Sequence, residues 1–299
     1  MREFRYFSTF SGIGGFELGL VKAAKRTGTR LKCVGFSEVD KYAISVYEKH
    51  FKEHKNYGDI RTIKSEELPE FDCLFGGSPC QDFSSVGKRA GIGGEKSSLF
   101  FEFARIAREK RPRVIVLENV KGLLSSTKGR DFQRIISILG EIGYVLQWQV
   151  LDSQYFGSPQ HRERVIIVGF LGEECWREIF PIGYSNRKTV LEDGKVIAYG
   201  KRRTRSLRSN YINTITASYK GPSGDGNPAI IEGDRIRKLT PIECERCQCF
   251  PDDWTKYGKD GKEISTTRRY RLCGNSVCVN VLEEVFNQIL KNEKEIEDE

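Results

Sequence analysis

No apolar run in this 299-residue chain approaches the ~20 residues that a bilayer-spanning helix needs. The opening "MREFRYFSTF" carries charges where a signal peptide would carry an apolar stretch and a small-residue cleavage site. The protein is therefore expected to stay in the cytoplasm and to have no membrane partner. Histidine is scarce, with only His50, His54 and His161. The nine cysteines (33, 73, 80, 175, 244, 247, 249, 273 and 278) are an odd number without disulfide-framework spacing. Without export they are expected to be reduced, and mostly buried as small apolar groups. "CERCQC" (Cys244 to Cys249) has a metal-like look. A four-ligand zinc site would need a second cluster, which the three histidines are not placed to supply, so no metal is expected. His50 and His54, four apart after an apolar stretch, read as a solvated helix end.

What the chain does have is positive charge, unevenly placed. The net charge is +8, and residues 181–272 alone hold 19 Lys/Arg against 11 Asp/Glu, which leaves the remainder neutral. Runs such as "KRRTRSLR" (Lys201 to Arg208), "RIRK" (Arg235 to Lys238) and "RRYR" (Arg268 to Arg271) fall in that third of the chain. Single basic runs are usually solvated faces. Segregation this complete favours a polyanionic partner, because clustered Lys and Arg displace counterions from phosphates.

The first 170 residues alternate strand and helix signals: strands near 4–10, 31–38, 71–77, 113–120, 144–150 and 164–170, with helices near 14–26, 40–51, 98–111 and 129–142. Such alternation predicts an α/β fold, a parallel sheet covered by helices on both faces. From about 181 the pattern fails, and glycine, serine, asparagine and basic residues dominate with weak β runs near 211–219 and 227–231. Residues 1–180 with 270–299 are expected to form the main domain, the last helix packing back on it. Residues 181–269 are expected to form a smaller, irregular, β-leaning domain.

Several segments carry chemistry. "FSGIGGFELG" (Phe10 to Gly19) follows the first strand and opens the first helix, where glycines admit close approach of a ligand and unpaired N–H groups face it. Glu38 stands at the end of the second strand, where a ribose would lie, and Asp59 sits in "YGDI" after another expected strand. The glycine spacing is G-x-G-G, which weakens a pyrophosphate reading and leaves a nucleoside-bearing ligand as the better fit. In "SPCQ", Cys80 ends a strand at the sheet edge where open α/β folds bind ligands, ahead of a polar, glycine-rich loop rather than an apolar run. That setting suits a nucleophile whose thiolate is favoured by nearby cations. Glu118, in "LENV", ends a strongly apolar strand, where a carboxylate is costly unless it has a partner. Arg162 and Arg164 alternate just before the last strand of this part, so both can face one site.

Together these segments closely resemble the DNA cytosine-C5 methyltransferases of bacteria and phages. The order matches throughout: "FSGIGGFELG", "SEVDKYA", "GDI", "GGSPCQDFS", "ENVKG", "QHRERV", "RKLTPIECERCQCFPDDW" and "GNSVCVNVL". Only about 172–234 falls outside it, the variable stretch where the family keeps target recognition. The resemblance implies a Rossmann-like S-adenosylmethionine-dependent methyltransferase sheet, double-stranded DNA as partner and a cytosine swung out of the duplex, since the ring is unreachable in the stack. It implies that Cys80 adds to C6, that Glu118 holds N3 and the exocyclic amine, and that Arg164 grips O2 with Arg162 in support. The loop from Gln81 to Gly94 would be a mobile lid bringing Ser84, Lys88 and Arg89 to the DNA.

For the cofactor, the resemblance implies Phe10 near the adenine and Ser11, Gly12, Ile13, Gly14 and Gly15 along the methionine end. Glu38 would hold the ribose, Val39 and Ile60 would flank the adenine, and Asp59 would accept from its amine. Pro79, Leu99, Asn275 and Val277 would complete the pocket, and S-adenosylhomocysteine would be the product. "NTITASYKGPSGDG" resembles the family's Thr-rich recognition segment, which marks Thr214, Thr216 and Lys220, with Arg202 and Arg203 upstream, as candidate DNA contacts. Three positions depart from the usual pattern: Ser8-Thr9-Phe10 replaces Asp-Leu-Phe, Val39 stands where an aromatic is common, and His161 replaces Lys or Arg. A monomer is expected, and a cognate restriction endonuclease, if one exists, would act separately. The competing readings are a tRNA cytosine-5 methyltransferase on the same fold, a catalytically silent DNA-binding module and a nicotinamide dehydrogenase. The last fails on the incomplete phosphate motif.

Overall fold

The computed structural model describes residues 3–78, 99–172, 177–183, 196–198, 211–220, 228–232 and 235–298. Its main body is built from β1 (Glu3–Thr9), α1 (Gly15–Thr27), β2 (Arg30–Ser37), α2 (Lys41–His50), β3 (Cys73–Gly77), α3 (Leu99–Lys110), β4 (Val114–Val120), α4 (Arg130–Ile142), β5 (Tyr144–Asp152) and β6 (Glu163–Leu171). The two-residue period of a strand sends alternate side chains to opposite faces, and here both faces are apolar. Tyr6, Phe75, Val116 and Val168 fill one core cluster. Phe7, Leu74, Leu117 and Ile167 fill another on the opposite face. Phe16 and Leu20 of α1 close the first cluster, and Phe103 of α3 with Leu139 of α4 close the second. The result is the three-layer α/β sheet that the sequence pattern calls for.

One feature of that sheet differs from the expectation. Strand order is β2-β1-β3-β4-β6-β5. The first four strands run parallel, but β6 is antiparallel to both β4 and β5. The connection from Asp152 to Glu163 holds one short 3-10 turn (Ser153–Phe156) and no helix. A parallel return would need a crossover of a dozen or more residues, so the chain doubles back and the sheet is mixed.

Beyond this body lie β7 (Val196–Ala198), β8 (Pro228–Glu232) and β9 (Arg235–Arg237), an antiparallel sheet of their own. They are followed by α5 (Pro241–Cys247), α6 (Thr266–Asn275) and α7 (Val279–Asp298). Thr240 and Glu243 close a capping box at the start of α5. Helix α7 lies along α1, where Gly19 permits the approach: a Cβ there would sit 2.9 Å from Leu282 Cβ. Lys22 donates to Asn280, and Arg26 pairs with Glu283 and Glu284 across the same seam.

Among the described cysteines, Cys33 is half-buried and the other six are buried. Cys244, Cys247 and Cys273 pack with Ile215, Tyr219 and Tyr270 in a small apolar cluster. The two helix-end histidines are not solvated as expected. His50 stacks on Trp254 with ring centroids 3.5 Å apart, and His54 meets the Tyr47 hydroxyl at 3.0 Å. Burial lowers the His54 pKa to about 4. Both follow from α2 ending against the rest of the molecule, a contact that helical period alone does not reveal. No described helix is long and apolar enough to cross a membrane.

Candidate active site

The chain leaves β1 through a turn with three left-handed residues: Phe10 (φ 52°), Gly12 (φ 56°) and Gly14 (φ 86°). Ser8 and Ser11 join hydroxyls at 2.7 Å, and the Gly14 amide donates to the Ser11 carbonyl at 3.0 Å. Glu38, just past β2, fastens the turn from the side. Its carboxylate accepts from the Gly12, Val39 and Asp40 amides, each at 2.8 Å. The glycines serve different ends. A Cβ on Gly12 would meet nothing closer than 4.0 Å, so this residue borders open space. A Cβ on Gly14 would lie 2.5 Å from the Phe51 ring and one on Gly15 2.7 Å from Val277, so packing within the protein dictates those two.

Around this turn the structure gathers most of the expected cofactor residues. Val39 is 67% exposed beside Glu38, an apolar surface open to solvent. Asn56 binds both the Glu38 carbonyl and the Gly58 amide, which holds the 56–59 segment beside β2. Asp59 follows no strand. It caps the 3-10 turn Ile60–Thr62, and Arg61 Nε faces both of its carboxylate oxygens at 3.0 Å. Ile13 and Ile60 turn into the core. Phe10 packs half-buried against the cluster that holds Ile60, with Leu99 at the head of α3 on the same cluster. Val277 is buried, and Asn275, the last residue of α6, is exposed.

At the adjoining sheet edge, Glu118 of β4 lies opposite Gly77 of β3 and Ile166 of β6. A Cβ on Gly77 would come within 2.9 Å of Glu118 Oε2, which explains the glycine. Arg164 Nε stands 2.8 Å from Glu118 Oε1 as a charge contact rather than a directed hydrogen bond, and that buried oxygen keeps its hydrogen-bonding capacity unspent. The reversal of β6 makes this meeting possible. An antiparallel strand presents its first residues where its parallel neighbours present their last. Asn119 Nδ2 donates to the Ser78 carbonyl at 3.1 Å and to its hydroxyl at 3.3 Å, fixing the last described residue after β3. Pro79, Cys80, Gln81, Ser84, Lys88, Arg89, Arg202 and Arg203 lie outside the described residues.

Arg162 and Arg164 line one small cavity together with Glu118, as expected, but their guanidinia bind different partners. Arg162 is buried and donates to the carbonyls of Ile215 (3.2 Å), Gly274 (3.4 Å) and Ser276 (2.6 Å). Burial lowers its pKa to about 9, which leaves it protonated at neutral pH. Gln160 completes the joint by accepting from the Ile215 amide at 2.6 Å and donating to the Cys247 carbonyl at 3.3 Å. Thr214 donates to the His161 carbonyl at 2.9 Å, Thr216 shares a hydroxyl contact with Ser218, and Lys220 is exposed. His161 turns aside to pair with Asp152. Asn119 and Gln160 join the site although nothing in the motifs that contain them marks either as a site residue. Their work is to bind backbone atoms of distant segments, which a motif does not display.

The chain matches the model of the C-5 cytosine-specific DNA methylases over residues 4–211 and 174–291. It is 34% identical over 313 residues to the Type II methyltransferase M.NlaX of Neisseria lactamica, covering 96% of each chain. To the Type II methyltransferase M.BsuFI of Bacillus subtilis it is 36% identical over 302 residues, covering 94% of this chain and 71% of the relative. Among solved structures it resembles the S. pombe Dnmt2 methyltransferase, with a TM-score of 0.71 at 18% identity over 98% of this chain and 99% of that one, a likeness of fold. With matches that span both the glycine turn and the Glu118–Arg164 edge, the chain belongs to the C-5 cytosine-specific DNA methylase family and is a DNA cytosine-5 methyltransferase.

Proposed function

We propose that this enzyme methylates C5 of a cytosine rotated out of double-stranded DNA, through a transient bond between Cys80 and C6. The observation that supports the reading most is the unspent oxygen of Glu118 beside Arg164 at the sheet edge, next to Asn119, which holds Ser78 two residues before Cys80. A buried carboxyl held by a cation but not saturated by it suits the N3 and amine edge of a cytosine, and Arg164 suits its O2. In this reading the Cys80 thiolate adds its electron pair to C6 and the C5–C6 electrons move towards C5. Glu118 and Arg164 stabilise the charge that develops on the ring. S-adenosylmethionine, the family's methyl donor, supplies the methyl group when bound. Loss of the C5 proton to solvent then re-forms the double bond and releases the sulfur.

The residues present fit that cofactor. Gly12 borders open space, Glu38 is fixed by three backbone amides, and Val39 offers an exposed apolar face beside it. Phe10 to Gly15, Glu38, Val39, Asp59, Ile60, Leu99, Asn275 and Val277 are assigned to this pocket, with Pro79. Arg61 already holds Asp59, so the adenine amine would share that carboxylate with a guanidinium. Arg162 is assigned to support, through the carbonyls it holds. Residues 1–180 with 270–299 are assigned to catalysis and 181–269 to target recognition, where Thr214, Thr216 and Lys220 are candidate DNA contacts; within the latter span Phe250, Trp254 and Ile264 pack into the core of the main sheet.

Expression in a methylation-free host followed by bisulfite sequencing tests substrate and target sequence together. New 5-methylcytosine at one recurrent motif is the expected result, and none would sink the reading. Labelled-cofactor assays on duplex DNA against tRNA separate the RNA-modifying alternative. For the mechanism, Cys80→Ala is expected to abolish methylation and trapping on 5-fluorocytosine DNA while DNA binding persists.

A further inference from the structure

The glycine turn is held from behind by a residue that no motif marks as a ligand contact. Trp254 Nε1 donates to the Ile13 carbonyl at 2.9 Å, a buried bond spanning 241 positions of sequence. The indole cannot easily shift. His50 stacks on one face at an interplanar angle of 4° and its Nε2 meets the Trp254 carbonyl at 2.8 Å. Phe250 lies 5.3 Å away, centroid to centroid, and Phe51 crosses edge-on at 6.2 Å. The same two rings wall the turn, since Phe51 blocks a Cβ at Gly14 and Phe250 crowds one at Gly15. The backbone after Trp254 is anchored as well: buried Glu245 accepts from the Thr255 amide at 2.8 Å and from Arg269 Nη2 at 2.9 Å.

Gly12 and Gly14 adopt their left-handed conformations freely, but Phe10 at φ 52° stores conformational cost and persists only where its surroundings over-determine it. On its open side the turn has Glu38 on the Gly12 amide; on its closed side Trp254 holds the Ile13 carbonyl. The Ile13–Gly14 peptide plane is thus held at both ends, its carbonyl by the indole and its amide by the Ser11 carbonyl, which fixes the course of the turn.

We propose that Trp254 is a positioning residue for the cofactor: its indole N–H pre-orients the Phe10–Gly15 turn so that a sulfonium-bearing nucleoside binds without reordering the backbone. The proposal rests on the cofactor reading given above. Trp254→Phe keeps an aromatic ring between His50 and Phe250 and deletes only the donor.

Calorimetric titration with S-adenosylhomocysteine provides the test. Trp254→Phe is expected to weaken binding about tenfold, the scale of one buried hydrogen bond. In turnover assays KM for S-adenosylmethionine should rise by a similar factor while kcat at saturating cofactor and KM for DNA stay within about twofold. An unchanged Kd in the folded variant overturns the proposal and leaves the cofactor reading standing. Absence of binding by the unaltered protein overturns both. Should the variant fail to fold, the unaltered protein labelled with 5-fluorotryptophan decides the matter. Of its three tryptophans (148, 176 and 254), the Trp254 fluorine signal, assigned through Trp148→Phe and Trp176→Phe, is expected to keep a single position and linewidth as S-adenosylhomocysteine is added, because its seat is already set. A signal that splits or broadens on binding, the mark of a seat that reorders, overturns the proposal.

Discussion

Arg162 donates to the Ser276 carbonyl at 2.6 Å and thereby joins the strand mouth of β6 to the loop before α7. The same guanidinium holds Ile215 and Gly274, so one planar fork gathers three segments far apart in sequence. Gly274 allows the closeness: a Cβ there would fall 2.3 Å from the Thr216 carbonyl carbon.

Arg162→Lys should therefore behave as a non-conservative change. A lysine ammonium is a point donor and cannot span three carbonyls in a fixed geometry, which leaves buried acceptors unpaired. We expect a loss of about 2–4 kcal/mol in urea unfolding. A loss below about 0.5 kcal/mol would show that the joint carries little.

Glu118→Gln tests the other arginine. The amide keeps the shape of the carboxyl but removes the negative charge opposite Arg164. With the carboxyl that grips the ring and steadies its developing charge replaced by an amide, methylation should fall about 100-fold or more, the scale of a lost electrostatic contact to the reacting group. Folding, followed by circular dichroism, should persist. Near-normal turnover of this variant would refute the role given to Glu118.

Glu17, in the first turn of α1, is buried, accepts from the Tyr47 hydroxyl at 3.0 Å and has its pKa lifted by burial from 4.5 to about 7. At pH values below 4.5 the carboxyl is protonated both folded and unfolded, and its contribution to stability is fully present. As pH rises towards 7 the unfolded chain ionises readily and the folded one resists, so stability is lost, about 3 kcal/mol in all. Glu17→Gln should remove that loss. Unfolding free energies at about pH 5 and about pH 8 should differ by less in the variant than in the unaltered protein. Equal differences would show that Glu17 is not the group responsible.

Much of the main sheet was legible beforehand because its signals are local. Apolar alternation in "RVIVLENV" marks β4 with both faces buried, and the helical spacing of Phe100, Phe103, Ala104 and Ala107 marks the buried side of α3. Candidate residues were legible too, since Glu38 and Glu118 are acids at the ends of apolar strands. His50 misled because its partner, Trp254, comes from a segment two hundred residues away, and His54 because the chain past α2 folds back onto Tyr47 and Phe51. That Phe51 and Val277 also require glycine at 14 and 15 was not legible, because that ring and that methyl arrive from outside the motif.

By itself the sequence determined the strands and helices of the main sheet, the family and the chemical types at the site, because periodicity and side-chain chemistry are properties of short stretches; the β run expected near 211–219 forms only an isolated bridge at Ile212. Tertiary structure alone decided that β6 runs backwards, so that Arg164 meets Glu118. It also decided that Arg162 faces carbonyls rather than a reacting ring, and that an indole from the 250s holds the turn after β1. A donor's partner is fixed by the closure of the whole chain around it, and no local pattern records that closure.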